Sequence, residues 1–201
     1  MKVALIVEGK TEAVFLEPLR RFLAARLPDQ KKPRISVNKY DGLIRKIDLQ
    51  RRVKRLLDEN DAVIALTDVY TGTRAFVDAA DAKRKMREWV GPEQRFYPHA
   101  AQYDFEAWLL PYWDDIQQLT GSNRSAPAQN PESVNHMSPP AHRIAEVFRT
   151  GEKTKRTFYN KPRDAKRILE GKDLSVAAAQ CAQLKALLNT LLTLCGGDVL
   201  E

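Results

Sequence analysis

Several acids in this sequence stand where a sheet could make them act together. Glu8 follows the apolar run Val3-Ala4-Leu5-Ile6-Val7, and Asp68 ends a second run, Ala62-Val63-Ile64-Ala65-Leu66-Thr67. Asp104 and Glu106 stand just past a third extended segment, residues 95–103. Short, nearly continuous apolar runs read as buried parallel strands. In an open parallel sheet, ligands bind outside the carboxyl ends of the strands, where the loops converge. Carboxylates gathered there repel one another, an arrangement that makes sense when a cation neutralises them. Hard oxygen ligands of this kind select Mg²⁺ or Mn²⁺ over zinc. A single acid in such a place is ordinarily a helix cap or the partner of a Lys or Arg; for three strand ends at once that explanation is weaker.

The elements that must carry these acids alternate along the chain. After the first strand, residues 12–27 place Val14, Phe15, Leu19, Phe22, Leu23 and Leu27 at helical spacing, and Pro28 closes the segment. Residues 34–40 alternate as a strand does, and residues 43–59 form a basic amphipathic helix with Ile44, Ile47, Leu49, Val53, Leu56 and Leu57 toward the core. A third strand ends at Asp68, residues 76–89 are helical, and Asp104-Phe105-Glu106 opens a further helix carrying Trp108. Alternation of this kind predicts an α/β fold, a mostly parallel sheet flanked by helices with right-handed crossovers. Three regions are expected: an α/β core over residues 1–120, a mobile loop over 121–140 rich in Ser, Asn, Pro and Ala, and a helical extension over 141–201 packed on the core. Within the extension, residues 141–149 and 177–194 are expected as helices.

Composition bounds the rest. The chain has 201 residues, 43% of them hydrophobic and 29% charged, enough for one sizeable core. No apolar run approaches the ~20 residues that span a bilayer, and Met1-Lys2-Val3 leads into a strand rather than a signal peptide, so a cytoplasmic protein with no membrane partner is expected. Cys181 and Cys195 have no second pair and no His at ligand spacing, which argues against a thiolate metal site. His99, His136 and His142 lack partners at ligand spacing and read as structural or solvated. Gly9-Lys10-Thr11 lacks the glycine-rich residues that precede it in a nucleotide-binding loop, which argues against ATP hydrolysis. The net charge of +7 favours a polyanionic partner, through the counterions released when Lys and Arg meet phosphates.

The run Val7-Glu8-Gly9-Lys10-Thr11-Glu12 resembles the first motif of the Toprim domain, shared by topoisomerases, primases and the nucleases of the overcoming-lysogenization-defect group. Asp68-Val69-Tyr70 occupies the place of that family's Asp-x-Asp, and Asp104-Phe105-Glu106-Ala107-Trp108-Leu109-Leu110 resembles the acidic segment of an uncharacterised bacterial Toprim-like group. Tyr159-Asn160-Lys161 and the following helix match the C-terminal region of the same group, so the likeness covers nearly the whole chain. The resemblance implies a Toprim-like core and a Mg²⁺- or Mn²⁺-dependent nuclease. By similarity, Glu8 is the Toprim acid, Glu12 a second acid, and Asp68 a metal ligand; Asp104 or Glu106 stands in for the missing second Asp, because Tyr70 is a poor Mg²⁺ ligand. Lys161 would stabilise charge on the cleaved phosphate.

The implied partner is nucleic acid, DNA ahead of RNA, in bacterial defence against phage or plasmids. The backbone contacts expected are Lys10, Lys153, Lys155, Arg156, Arg163, Lys166 and Arg167. The basic helix with Arg45, Lys46, Arg51, Arg52, Lys54 and Arg55 reads instead as a solvated face. The alternative to a nuclease is a non-catalytic module that binds nucleic acid or a partner ATPase.

Overall fold

The computed structural model of the protein describes residues 1–9, 13–40, 44–69, 75–133, 138–154 and 158–201. Four strands, β1 (Lys2–Val7), β2 (Arg34–Lys39), β3 (Ala62–Asp68) and β4 (Phe96–Ala101), form one all-parallel sheet in the order β2-β1-β3-β4. The chain winds outward from β1 to β2, then crosses back over β1 to β3. That reversal puts helix α1 (Leu16–Arg26) on one face of the sheet, and α2 (Lys46–Leu57) and α3 (Ala79–Val90) on the other. The point of reversal lies between β1 and β3, where the connections leave in opposite directions and open a crevice at the carboxyl edge.

Alternation along the strands sorts the core into two faces. Val3, Leu5, Val7, Ala62, Ile64 and Leu66 pack with α1, while Ala4, Ile6, Val63 and Ala65 pack with Leu49, Val53, Leu56 and Leu57 of α2. Ile47 departs from the expected helical stripe and is 66% exposed, because it lies two residues from Leu49, on the opposite side of the helix.

Past β4 the chain enters a 3₁₀ helix, Phe105–Tyr112, followed by α4 (Trp113–Thr120). Pro111 removes one N–H and disfavours α geometry at Leu110, which accounts for regular α structure starting only at Trp113. The C-terminal helices are α5 (Pro140–Thr150), α6 (Lys161–Leu169), α7 (Leu174–Ala178) and α8 (Ala182–Leu194). They join the same apolar cluster as α1 and the sheet face beneath it, so the extension and the α/β core share one interior.

The helix expected over residues 177–194 is two helices. Cys181 is extended (φ −121°, ψ 97°) and stands between them. The break is satisfied from residues 130–132: Asn130 Nδ2 donates to the Gln180 carbonyl at 2.9 Å, and both Glu132 carboxylate oxygens accept from the Gln183 N–H at 3.0 and 3.1 Å. Glu132 therefore caps α8 from outside its own sequence. It also accepts from Trp108 Nε1 at 3.2 Å, which ties residues 121–133 of the expected loop to the core. Within α3, Asp78 accepts from the Asp81 N–H at 2.7 Å and Asp81 accepts in return from the Val77 N–H at 3.1 Å, a reciprocal cap that starts the helix at Ala79. Among the described residues, no helix is long and apolar enough to cross a membrane.

His99 on β4 is 6% exposed, and burial, aided by the charges of Lys83 and Arg87, pulls its pKa down to about 4. The unfolded chain binds a proton near pH 6.5 that the folded chain refuses. This linkage leaves stability untouched above pH 6.5 and lowers it as pH falls toward 4, by about 3 kcal/mol in all. In His99→Gln, the stability difference between pH 7 and pH 5 from urea denaturation should shrink by about 2 kcal/mol. An unchanged difference would show that His99 is protonated in the fold.

Candidate functional site

Glu8 is the first residue beyond β1 and Asp68 the last of β3. Register pairs Val7 with Leu66, so Glu8 comes alongside Thr67, and the Thr67 hydroxyl donates a hydrogen bond to Glu8 Oε1. Thr67 is 1% exposed, whereas Glu8 and Asp68 are half-buried; the Asp68 Oδ1 atom is itself buried. Both acids flank the crevice at the point of strand reversal.

β4 brings the next pair. Asp68 pairs in register with Ala101, and three residues later Asp104 caps the 3₁₀ helix, its carbonyl accepting from the Ala107 N–H at 3.1 Å. Between them Tyr103 adopts a left-handed backbone (φ 69°), which costs a residue with a Cβ about 1 kcal/mol and turns the chain from strand into helix. Asp104 Oδ2 accepts from the Ala141 N–H at 3.2 Å and so caps α5, whose own cap position is Pro139. Its Oδ1 is buried with no hydrogen-bond partner among the described residues.

Glu106 is 1% exposed, and its partners come from the far end of the chain: Lys161 Nζ lies 3.2 Å from Oε2, and the Tyr159 hydroxyl donates to Oε1 at 3.4 Å. Asn160 positions that lysine. Its side chain accepts from the Arg163 N–H and caps α6, while its own N–H donates to Asp164 at 2.8 Å.

The charges report the same convergence. Burial first, then the Glu106 carboxylate, pushes the Asp104 pKa up to about 7, against the pull of Lys161 and of the Ala141 and Ala107 N–H groups. Burial acts to lower the Lys161 pKa, but Glu106, Asp104 and, least of the three, Asp68 outweigh it and hold the ammonium above its ordinary value. Asp68, Asp104 and Glu106 thus surround one lysine within electrostatic reach, and Thr67 links that group to Glu8. Burial and the Glu106 charge raise the Tyr159 pKa, which keeps its hydroxyl a donor.

Glu12, Lys10 and Tyr70 lie outside the described residues, as do Lys155, Arg156 and His136. Of the other basic residues singled out in the sequence, Arg163 and Arg167 pair with the fully buried Asp164 at 2.8 and 3.5 Å, and Lys153 donates to the Gln118 carbonyl at 3.1 Å. Lys166 is exposed. Sequence reasoning missed Thr67 and Asp164. A hydroxyl placed directly before the acid that ends an apolar strand was the available signal for the first; nothing local marks the second.

A small parallel sheet with acids at its point of reversal, backed by helices on both faces, is the Toprim-like arrangement. The chain belongs to the family described as a domain of unknown function, DUF4276, whose model matches residues 7–192. Among solved structures, it is similar to the C-terminal region of the Burkholderia pseudomallei OLD protein, with 15% identity and a TM-score of 0.53 over 96% of this chain and 98% of that one. At that identity the likeness shows a shared fold. A search of curated proteins returns no match.

Lys161 is the cation that lets Glu106 and Asp104 lie buried two residues apart. Lys161→Met should destabilise the metal-free protein by about 1–3 kcal/mol, less than for a fully buried pair because the lysine side chain is 48% exposed. Lys161→Arg should recover most of that loss. Urea denaturation at pH 8 checks it, and equal stability of wild type and Lys161→Met would show that the two acids do not depend on this cation.

Proposed function

We propose that the protein is a divalent-metal-dependent phosphodiesterase acting on nucleic acid. The observation that carries this reading is the convergence of Glu8, Asp68, Asp104, Glu106 and Lys161 at one carboxyl edge, with Asp68 in electrostatic reach of a lysine that sequence resemblance marks as catalytic. The donor set suits Mg²⁺ or Mn²⁺, being oxygen only, and the buried Oδ1 of Asp104 has no hydrogen-bond partner among the described residues. Those residues contain no group of three or more His, Cys, Asp and Glu side chains able to hold an ion by themselves. Mg²⁺ ordinarily needs only one or two carboxylates and takes the rest of its shell from water and substrate phosphate.

On this reading Glu8 and Asp68 hold the ion, assisted by Glu12 and by Asp104. Glu106 is committed to Lys161 and Tyr159 and acts through them. A bound ion would supply charge neutralisation at the phosphate and a lower pKa for a water. Lys161 keeps its proton and faces the developing charge on the phosphate. Thr67 fixes the Glu8 carboxylate, and the buried Glu106 holds the lysine in place from one side. Backbone contacts fall to Lys166, Lys10, Lys155 and Arg156, with Lys153, Arg163 and Arg167 contributing the donors their structural partners leave free. The setting proposed is cytoplasmic defence against phage or plasmids, with DNA ahead of RNA as substrate, and rests on the resemblance to overcoming-lysogenization-defect nucleases.

A second reading is a non-catalytic module that binds nucleic acid or a partner ATPase. Tyr70, in place of the second acid of Asp-x-Asp, favours it.

Wild type should gain melting temperature in Mn²⁺, equivalent to about 2–3 kcal/mol at a hundredfold excess over Kd, and should cleave nucleic acid only with the ion present. Glu8→Gln and Asp68→Asn should lose most of that shift and lower cleavage by two or more orders of magnitude, while the metal-free protein stays as stable or becomes more so. Full metal response in both variants would remove the case for this centre. A metal response without cleavage by wild type would favour the binding module.

A further inference from the structure

We infer that α2 and the end of β2 form a phosphodiester-binding surface that leads a nucleic-acid strand to the acidic edge. The inference rests on the reading of that edge as the place where a phosphodiester is handled. α2 carries Lys46, Arg51, Arg52, Lys54 and Arg55 against a single acid, Asp48, and Arg45 precedes it. Several cations on other helices are paired: Arg84 and Lys85 with Asp81 on α3, Arg26 with Asp173, Arg124 with Glu146, Lys172 with Asp115. Among the described residues no carboxylate lies within ion-pair distance of Arg51, Arg52 or Arg55, although Asp48 stands one turn away. A helix that needed its charges only for solubility gains by pairing them at i, i+4, as α3 does.

The three arginines line a cavity of about 400 Å³ with Tyr40 and Asp48. Arg52 is fixed there, donating to the Lys39 carbonyl at 2.9 Å with its guanidinium 4.9 Å from the centre of the Tyr40 ring. The Tyr40 hydroxyl accepts from the Arg45 N–H at 3.3 Å, so the floor of the cavity is ordered. Arg51 and Arg55 are exposed and lie one turn apart on the same face. Guanidinium forks matched to oxyanions at that spacing suit phosphate better than lysines do.

Position gives the surface its role. Lys39 pairs in register with Val7, and the Tyr40 N–H donates to the Val7 carbonyl at 2.7 Å. Glu8 is the next residue. Tyr40, which lines the arginine cavity, therefore stands at the same carboxyl edge as Glu8, one strand over.

The test uses the full chain and a fluorescein-labelled 20-nucleotide DNA of mixed sequence, single-stranded and as a duplex, with anisotropy read in EDTA between 50 and 200 mM salt. Arg51→Glu with Arg55→Glu should raise Kd at least tenfold at the lowest salt and flatten the log–log salt slope by roughly 1.4 on the single strand. Arg51→Gln with Arg55→Gln should give a smaller change in the same direction, and decides the question if the charge reversal does not fold. Lys32→Glu with Arg34→Glu, at the opposite edge of the sheet, should change Kd less than threefold. The inference is overturned by no measurable binding of wild type, by arginine variants within twofold of wild type, or by an equal loss in the opposite-edge pair. Arginine-dependent binding with no Mn²⁺-dependent cleavage would sink the phosphodiesterase and keep the surface; cleavage with arginine-independent binding would do the reverse.

Discussion

Two ionised carboxylates two residues apart, both almost without solvent, destabilise this fold unless a cation is brought to them or one takes up a proton. Asp104 and Glu106 are 5% and 1% exposed, and the cation within reach comes from Lys161, 55 residues from Glu106. Burying either charge alone costs several kcal/mol, so the observed place of the 3₁₀ segment is stable only with the C-terminal helices docked. Much of the molecule follows from that docking. α6 has to present Lys161, so Asn160 and Asp164 shape its first turn; Asp104 has to lie beside it, so its second oxygen caps α5. The apolar cluster that joins these helices to α1 and the sheet supplies the free energy for placing the ion pair rather than the reverse.

How much of this the sequence discloses depends on whether the signal is local. β1 and β3 are legible because a strand buried on both faces must be apolar at every position, and the acid that breaks each run marks the edge. The parallel sheet follows, since strands alternating with helices leave few other connections. The partnership of Lys161 with Glu106 is not local: no spacing rule links positions 106 and 161, and only a motif-level resemblance drew attention to the lysine. The break at Cys181 is hidden for the same reason. Residues 177–194 keep a helical apolar stripe, and the group that pays the cost of interrupting it, Glu132, sits in a stretch with no periodicity. The 3₁₀ geometry around Pro111 was open to prediction from the proline itself, and the exposure of Ile47 from its phase relative to Leu49.

The two faces of the sheet divide the labour. α1 and the C-terminal helices build the lysine and acid cluster, whereas α2 and α3 cover the other face with little reference to it. α2 and α3 are alike in length and both strongly amphipathic, yet their charges are arranged differently. α3 neutralises Arg84 and Lys85 with Asp81 and Glu88; α2 sets its arginines together and leaves them unneutralised beside the end of β2. Like charges one turn apart cost a few tenths of a kcal/mol per pair, a small penalty that nothing in the folding of α2 requires.

That penalty has a counterpart at the acidic edge. Among the described residues, Asp68, Asp104 and Glu106 share the Lys161 ammonium, so with every group ionised these four carry a twofold negative excess. Glu8 is held there by the neutral hydroxyl of Thr67, which orders the carboxylate without cancelling its charge. A phosphodiester approaching such an edge is repelled: at 6 Å and an effective dielectric of 20, each like-charged pair costs about 3 kcal/mol. Lys161 offsets only part of this, because its ammonium is shared with Glu106 and Asp104. Two sources of positive charge are therefore needed, one among the acids and one close enough to draw the strand in before it reaches them. On the proposed reading, a divalent ion held by Glu8 and Asp68 would meet the first need. The arginines of α2, which line a cavity with Tyr40 at the end of the strand beside β1, are placed to meet the second.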